Sequence, residues 1–223
     1  MDELKSKERE ELDFWLNVWN KKILDTGCWT EDVYSLIGEE KRIESYEKQR
    51  EKEGKAQGYR ILSLARKPRN YFDGKVIIEI GPGCCGLLEM CSARTKIAIE
   101  PLAEQFRDNN LLLQNERGAV YLSCGAESMP LMSEYADIVI SSNCLDHVDD
   151  IGQSIAEIYR VLKIGGEVFV NVEIDHPPTA CEPHSLSYGD IVELFKYFQT
   201  VFIVSETNND GRKWVRAVWT RSS

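Results

Sequence analysis

Lys75-Val76-Ile77-Ile78-Glu79-Ile80-Gly81-Pro82-Gly83-Cys84-Cys85-Gly86 is the stretch on which the fold turns. Its first half is a near-continuous apolar run of buried-strand length. Its second half is a glycine-rich turn opening towards a helical stretch that is expected to reach about Arg94. Glycines at such a strand-to-helix turn let the chain reverse sharply and let a ligand lie against bare backbone, where the amide N–H groups of the helix entrance point. Nineteen residues after Gly81, at the end of the next apolar run, stands Glu100. A carboxylate there can take both hydroxyls of a ribose. Strand, glycine turn and distant acid together point to a nucleoside ligand.

Working outward, short β-branched runs alternate with helical stretches. Lys96–Ile99, Ala119–Leu122, Ala136–Ser141 and Glu167–Val172 read as strands; about 102–116 and 151–162 read as helices. Such alternation implies right-handed crossovers and a parallel sheet. Phe198–Glu206 and Lys213–Thr220 break the rhythm: they flank the turn signal Asn208-Asn209-Asp210-Gly211-Arg212 and read as a terminal hairpin, so one strand must run antiparallel. Towards the other end, residues 3–24 and about 39–66 read as helices, the first with Leu12, Trp15, Leu16 and Trp19 at helical spacing. Residues 1–70 are thus expected to form a helical cap and 71–223 the nucleoside-binding core.

Composition narrows the function. The 223 residues carry 27 Lys+Arg against 37 Asp+Glu, a net charge of −10 that speaks against a nucleic-acid substrate. Residues 126–193 alone carry −11, an acidic excess suited to a neutral or cationic partner. No apolar run reaches the length of a membrane span, and the charged beginning lacks a signal-peptide core, so a cytoplasmic protein without membrane contact is expected. Seven cysteines without a CxxC pair suit free thiols.

Two nucleoside ligands remain open on the residues alone, a nicotinamide or flavin dinucleotide and S-adenosylmethionine. Glu79, two residues before Gly81, favours the second, because an acid there can engage the cationic amino group that methionine carries and a pyrophosphate lacks. Taken in order, VIIEIGPGCCG, IAIEP, CGAESMP, YADIVISSNCLDHV and IYRVLKIGGEVFV resemble the motif set of class I S-adenosylmethionine-dependent methyltransferases, over about residues 74–173. The resemblance implies an α/β, Rossmann-like, doubly wound seven-stranded mixed sheet with an antiparallel last strand. It also implies that Glu79, Gly81, Gly83 and Gly86 form the methionine-side loop, that Glu100 holds the ribose hydroxyls, that Ala126 and Glu127 border the adenine, and that Asn143 lines the methionine end. Arg160–Lys163 and Gly165-Gly166 match a structural helix-turn-strand element. Cys84-Cys85 departs from the usual small or polar residues, and inert thiols are expected there.

The expected activity is methyl transfer to an oxygen or nitrogen of a small molecule. The alternatives are a protein that binds S-adenosylmethionine without methyl transfer, and a nicotinamide-dependent oxidoreductase. Transfer from a sulfonium needs alignment, exclusion of water, and a base where the acceptor must lose a proton. His147, just past the fourth strand, is the first candidate base, with Asp146 to orient it. His184 is the second. The loop from Glu173 to Ser185 contains two histidines, a cysteine and acids, but their spacing matches no standard metal site, so no metal is expected.

Overall fold

The computed structural model describes residues 5–19, 62–63, 65–84, 86–112, 118–208 and 211–223. Seven strands form one sheet: β1 (Val76–Ile80), β2 (Thr95–Ile99), β3 (Ala119–Leu122), β4 (Ala136–Ser142), β5 (Leu162–Ile174), β6 (Phe198–Thr207) and β7 (Lys213–Arg221). Their order is β3-β2-β1-β4-β5-β7-β6. Pairs from β3 through β5 are parallel, and β7 runs antiparallel to both β5 and β6. The expected α/β fold with its antiparallel last strand is the one observed.

β1 sits at the centre because it can be buried on both faces. Ile78 and Ile80 join one core cluster with Ile155 and Ile158, while Ile77 joins the other with Phe72, Leu87 and Phe169. Strand order reverses at β1, with β2 on one side and β4 on the other, so the loops leaving β1 and β4 part and open a crevice at their C-terminal ends.

Among the described residues the α-helices are α1 (Ser6–Trp19), α2 (Ala103–Asp108), α3 (Ile151–Val161) and α4 (Tyr188–Leu194). The structure departs from the sequence reading of the helices at three places. The helix expected to run to Arg94 is a single 3-10 turn, Leu87–Met90, after which the amides of Arg94 and Thr95 donate to the carbonyl of Lys75 and start β2. The helix expected over 102–116 stops at Asp108, because Asn110 adopts a left-handed conformation (φ 54°) while the amides of Asn110 and Leu111 donate back to Arg107 and Phe106. Helix α4 has no counterpart in the sequence reading. It starts on a capping box in which Ser187 Oγ accepts from the Asp190 amide and Asp190 Oδ2 accepts from the Ser187 amide.

Helix α1 lies within the expected helix 3–24, and the expected helix over 39–66 falls almost wholly outside the described residues. Cys84 does not face ligand: it packs with Leu102, Phe106 and Leu111 against Leu12, Trp15 and Leu16 of α1. No helix among the described residues is long and apolar enough to cross a membrane.

Candidate active site

The two acids around the glycine turn are bound into the backbone they were expected to serve. Glu79, 3% exposed, accepts from the amides of Leu87 and Leu88 at 2.9 Å each, and so caps the 3-10 turn. Gly86 makes this approach feasible, since a Cβ there would collide with Glu79 Oε2 and Pro82. Glu100, also 3% exposed, accepts from the amides of Gly83 and Leu102 at 3.0 Å. Burial pushes its carboxyl up to about 7, against the pull of those two amides. Gly81 turns at φ 60°, where a side chain would run into Cys144.

Two adjoining chambers open at the crevice. The first, about 400 Å³, has Ile80, Gly81, Ile99 and Glu100 at its floor, Gly125–Ser128, Asn143, Cys144 and His147–Asp149 along its sides, and Lys5, Lys7, Glu8 and Glu11 over it. The second, about 580 Å³, is lined by Glu11, Phe14 and Trp15 of α1, by Glu79, Gly83, Gly86 and Leu87, and by Asn171, Glu182 and Trp214. Glu11, Gly81, Asn143 and His147 belong to both walls.

All eight residues expected to hold cofactor line one chamber or the other: Gly81, Glu100, Ala126, Glu127 and Asn143 the first, and Glu79, Gly81, Gly83, Gly86 and Asn143 the second. The loop carrying Ala126 and Glu127 is fixed from α3. Glu157 accepts the Met129 amide at 2.8 Å, and Arg160 donates to the carbonyls of Met129 and Leu131. Glu127 in turn accepts from the Asp149 and Asp150 amides at 2.7 and 3.2 Å.

Helix α1 closes both chambers. Lys5 pairs with Asp149 at 2.5 Å, and Lys7 pairs with the same carboxylate while donating to the His147 carbonyl at 3.0 Å. These lysines hold the Asp149 carboxyl below its ordinary range. Trp15 lies against Gly83, whose bare backbone admits the ring; a Cβ would come within 2.8 Å of it.

The two candidate bases part company. His147 stands at the junction of the chambers, yet both of its ring nitrogens are buried, with Nε2 3.6 Å from Glu182 Oε1 and 4.0 Å from Asp146 Oδ1. His184 lines neither chamber; its Nε2 sits 2.8 Å from the Val148 carbonyl oxygen and its amide donates to the Asp146 carbonyl. Asp146 is wholly buried, which pushes its carboxyl up despite the neighbouring imidazoles. The sequence reading missed Asn171 and Trp214. Asn171 Oδ1 and Trp214 Nε1 are buried and lack a hydrogen-bond partner among the described residues. Trp15, at helical spacing in the expected cap, and Glu182, in the loop from Glu173 to Ser185, did carry a prior signal.

The residues present fit S-adenosylmethionine. A carboxylate at the end of β2 faces a chamber of nucleoside size with apolar walls, and the backbone of Gly81 and Gly83 leads from it into the second chamber.

Residues 78–170 match the family model described as a methyltransferase domain. The match is to a methyltransferase domain over less than half of the chain. This domain is 34% identical over 86 residues to the ubiquinone/menaquinone biosynthesis C-methyltransferase UbiE of Vibrio parahaemolyticus, a stretch covering 38% of the chain and 30% of that protein. A UbiE of Vibrio campbellii is 34% identical over 68 residues. The matched region thus spans less than a third of the length of these curated relatives. Among solved structures, a 1,6-didemethyltoxoflavin-N1-methyltransferase of Burkholderia thailandensis, with its substrate and S-adenosylhomocysteine bound, superposes at TM-score 0.57 and 14% identity, covering 100% of this chain and 93% of that one. A methyltransferase of Thermotoga maritima, described as a possible histamine N-methyltransferase, superposes at 0.57 and 17% identity, covering 81% of this chain and 96% of that one. The [4+2]-cyclase SpnF superposes at 0.58 and 13% identity, covering 75% of this chain and 81% of that one. At these identities the likeness establishes the fold of the methyltransferase domain and no substrate.

Proposed function

We propose that the protein transfers a methyl group from S-adenosylmethionine to a nitrogen or oxygen of a neutral or cationic small molecule. The observation that carries this reading is the pair of chambers meeting at Gly81, Asn143 and His147: one has the size and carboxylate of a nucleoside site, the other is open space beside it. When bound, S-adenosylmethionine supplies a methyl group on a positive sulfur, which an acceptor lone pair takes as the electrons of the carbon–sulfur bond return to sulfur.

The chain's own part is to bind, align and keep water out. Glu100 takes the ribose hydroxyls, the Gly81–Gly83 backbone and Asn143 hold the amino-acid end, and α1 covers the junction. Glu79, with both oxygens already accepting backbone amides, still presents a negative carboxylate beside the loop, where a cationic amino group is favoured.

The second chamber describes its acceptor. Its wall combines the carboxylates of Glu11 and Glu182 with the rings of Phe14, Trp15 and Trp214, and no Lys or Arg among the described residues lines it. Aromatic faces with carboxylates suit an amine or another cation-bearing molecule and repel an anion. The proton that such an acceptor gives up has a taker in Glu11, on the wall shared by both chambers.

Calorimetry comes first. Saturable heat is expected on titrating S-adenosylhomocysteine and none with NAD or NADP; the reverse result overturns the proposal. Protein-dependent transfer of labelled methyl into a panel of amines and phenols, abolished in Glu100→Ala, then separates a transferase from a protein that only binds the cofactor.

A further inference from the structure

We propose that Asp146, His147, His176 and Glu182 form a binding site for a divalent transition-metal ion of the zinc class, in the wall of the second chamber. One ligand atom each from Asp146, His147 and Glu182 lie within 4.8 Å of one another. His176 stands beside them, its Nε2 3.4 Å from Asp146 Oδ2 while its Nδ1 lies 3.0 Å from the Pro177 carbonyl oxygen.

The spacing separates a metal site from a hydrogen-bonded cluster. Nitrogen–oxygen hydrogen bonds run at about 2.7–3.2 Å. Here the distances from the His147 and His176 Nε2 atoms to the carboxylates are 3.4, 3.6 and 4.0 Å, beyond that range. Four ligands on a tetrahedral ion with bonds of about 2.0–2.2 Å stand about 3.3–3.6 Å apart. The 3.4 and 3.6 Å separations already meet that edge length, the 4.0 Å between His147 and Asp146 needs only a small inward movement, and His176 would have to swing in to bring its Nε2 near Glu182.

Unmet valence points the same way. Asp146 is 0% exposed, yet neither of its carboxylate oxygens has a hydrogen bond from another described residue. Both ring nitrogens of His147 and Nε2 of His176 are likewise buried and unpartnered. Buried polar atoms are nearly always paired, so orphans gathered in one cluster call for a partner. A dication supplies it: two carboxylates neutralise its charge and two neutral imidazoles complete four ligands. Nitrogen donors favour zinc and its first-row neighbours over magnesium or calcium.

The ligands are carried on two loops tied together without using the ligand atoms. Asp146 and His147 follow β4; His176 and Glu182 follow β5. His184 binds the first loop through its ring on the Val148 carbonyl and its amide on the Asp146 carbonyl, and Ser185 Oγ donates to the His176 carbonyl at 2.6 Å. Thr179 and Glu182 close their own turn at 3.0 Å. His184 is therefore a positioning residue, holding the second pair of ligands over the first. Sequence spacing could not reveal the set, because no single loop contains it.

The test is metal binding by the full chain, stripped with a chelator and re-equilibrated. Zinc(II) titrated calorimetrically should saturate at one ion per chain. Cobalt(II) should give the visible absorption of a four-coordinate nitrogen–oxygen site, without a thiolate charge-transfer band. His176→Gln and Glu182→Gln should each weaken zinc binding beyond the roughly 10–100-fold typical of losing an outer hydrogen-bonding partner. Circular dichroism of both variants, and S-adenosylhomocysteine titration of His176→Gln, which lines neither chamber, should be unchanged, which separates loss of the metal site from misfolding and from failure of the methyl-transfer reading. No saturable zinc binding, binding indifferent to both substitutions, or a thiolate band would each overturn the proposal.

Discussion

Glu100 is the residue where burial and function pull against each other. Its carboxyl, pushed up to about 7, is half protonated at neutral pH, and only the ionised form accepts both hydroxyls of a ribose. S-adenosylhomocysteine should therefore bind about tenfold more weakly at pH 6 than at pH 8, with a midpoint near 7, as calorimetry in matched buffers will register. The sign for folding is opposite. The folded carboxyl titrates above its ordinary 4.5, so its contribution to stability is complete below about 4.5 and is lost as pH rises through about 7. Glu100→Ala removes charge-assisted hydrogen bonds and should cost cofactor binding about 1.5–3 kcal/mol. Affinity within a factor of two of the parent would remove Glu100 from the site. The residue was legible in the sequence because a carboxylate nineteen positions after Gly81, at the end of an apolar run, has few other places to be. The partners of Glu79 were not legible. Whether an acid beside a glycine turn faces ligand or caps the next turn depends on the angle at which the chain leaves the strand.

At the scale of elements, long periodic segments were readable and short capped ones were not. β1, β4, α3 and the terminal hairpin stand within a few residues of their expected bounds, since burial on one or two faces imprints itself on the pattern. Helix α4, at seven residues, is too short to show a periodicity, although Ser187 and Asp190 carried its start signal. That box anchors Ile191 and Phe195, whose ring stacks on Trp219 at 4.1 Å, so it braces the core beside β7. Ser187→Ala should lower stability by about 1 kcal/mol in denaturant titration, with an unchanged dependence on denaturant. A loss under a few tenths would show that packing alone fixes α4. The second chamber was legible only from its near wall. Its far wall draws Asn171 from β5 and Trp214 from β7, and no spacing announces residues that meet only once the sheet has formed.

The whole molecule is a sheet with its crevice roofed by a helix from the other end of the sequence. Helix α1 is held there by the Trp15 side with its apolar cluster and by the Lys5 and Lys7 ion pairs to Asp149. The ion pairs are partly exposed and contribute little, so the roof depends chiefly on apolar contact and on whatever fills the chambers beneath. S-adenosylhomocysteine should slow tryptic cleavage at Lys5, Lys7 and Arg9 several-fold, read as the rate of loss of the intact chain's amino-terminal peptide. Equal rates with and without ligand would detach α1 from the site. The wall common to both chambers has a kinetic corollary. Since Gly81, Asn143 and His147 border each space, an occupied first chamber becomes part of the floor on which the acceptor rests, and the acceptor meets a finished surface only afterwards. Turnover should follow a compulsory order, nucleoside on first and off last. S-adenosylhomocysteine would then inhibit competitively against S-adenosylmethionine and non-competitively against the acceptor, whereas a random order would give the methylated product the competitive pattern against its own precursor.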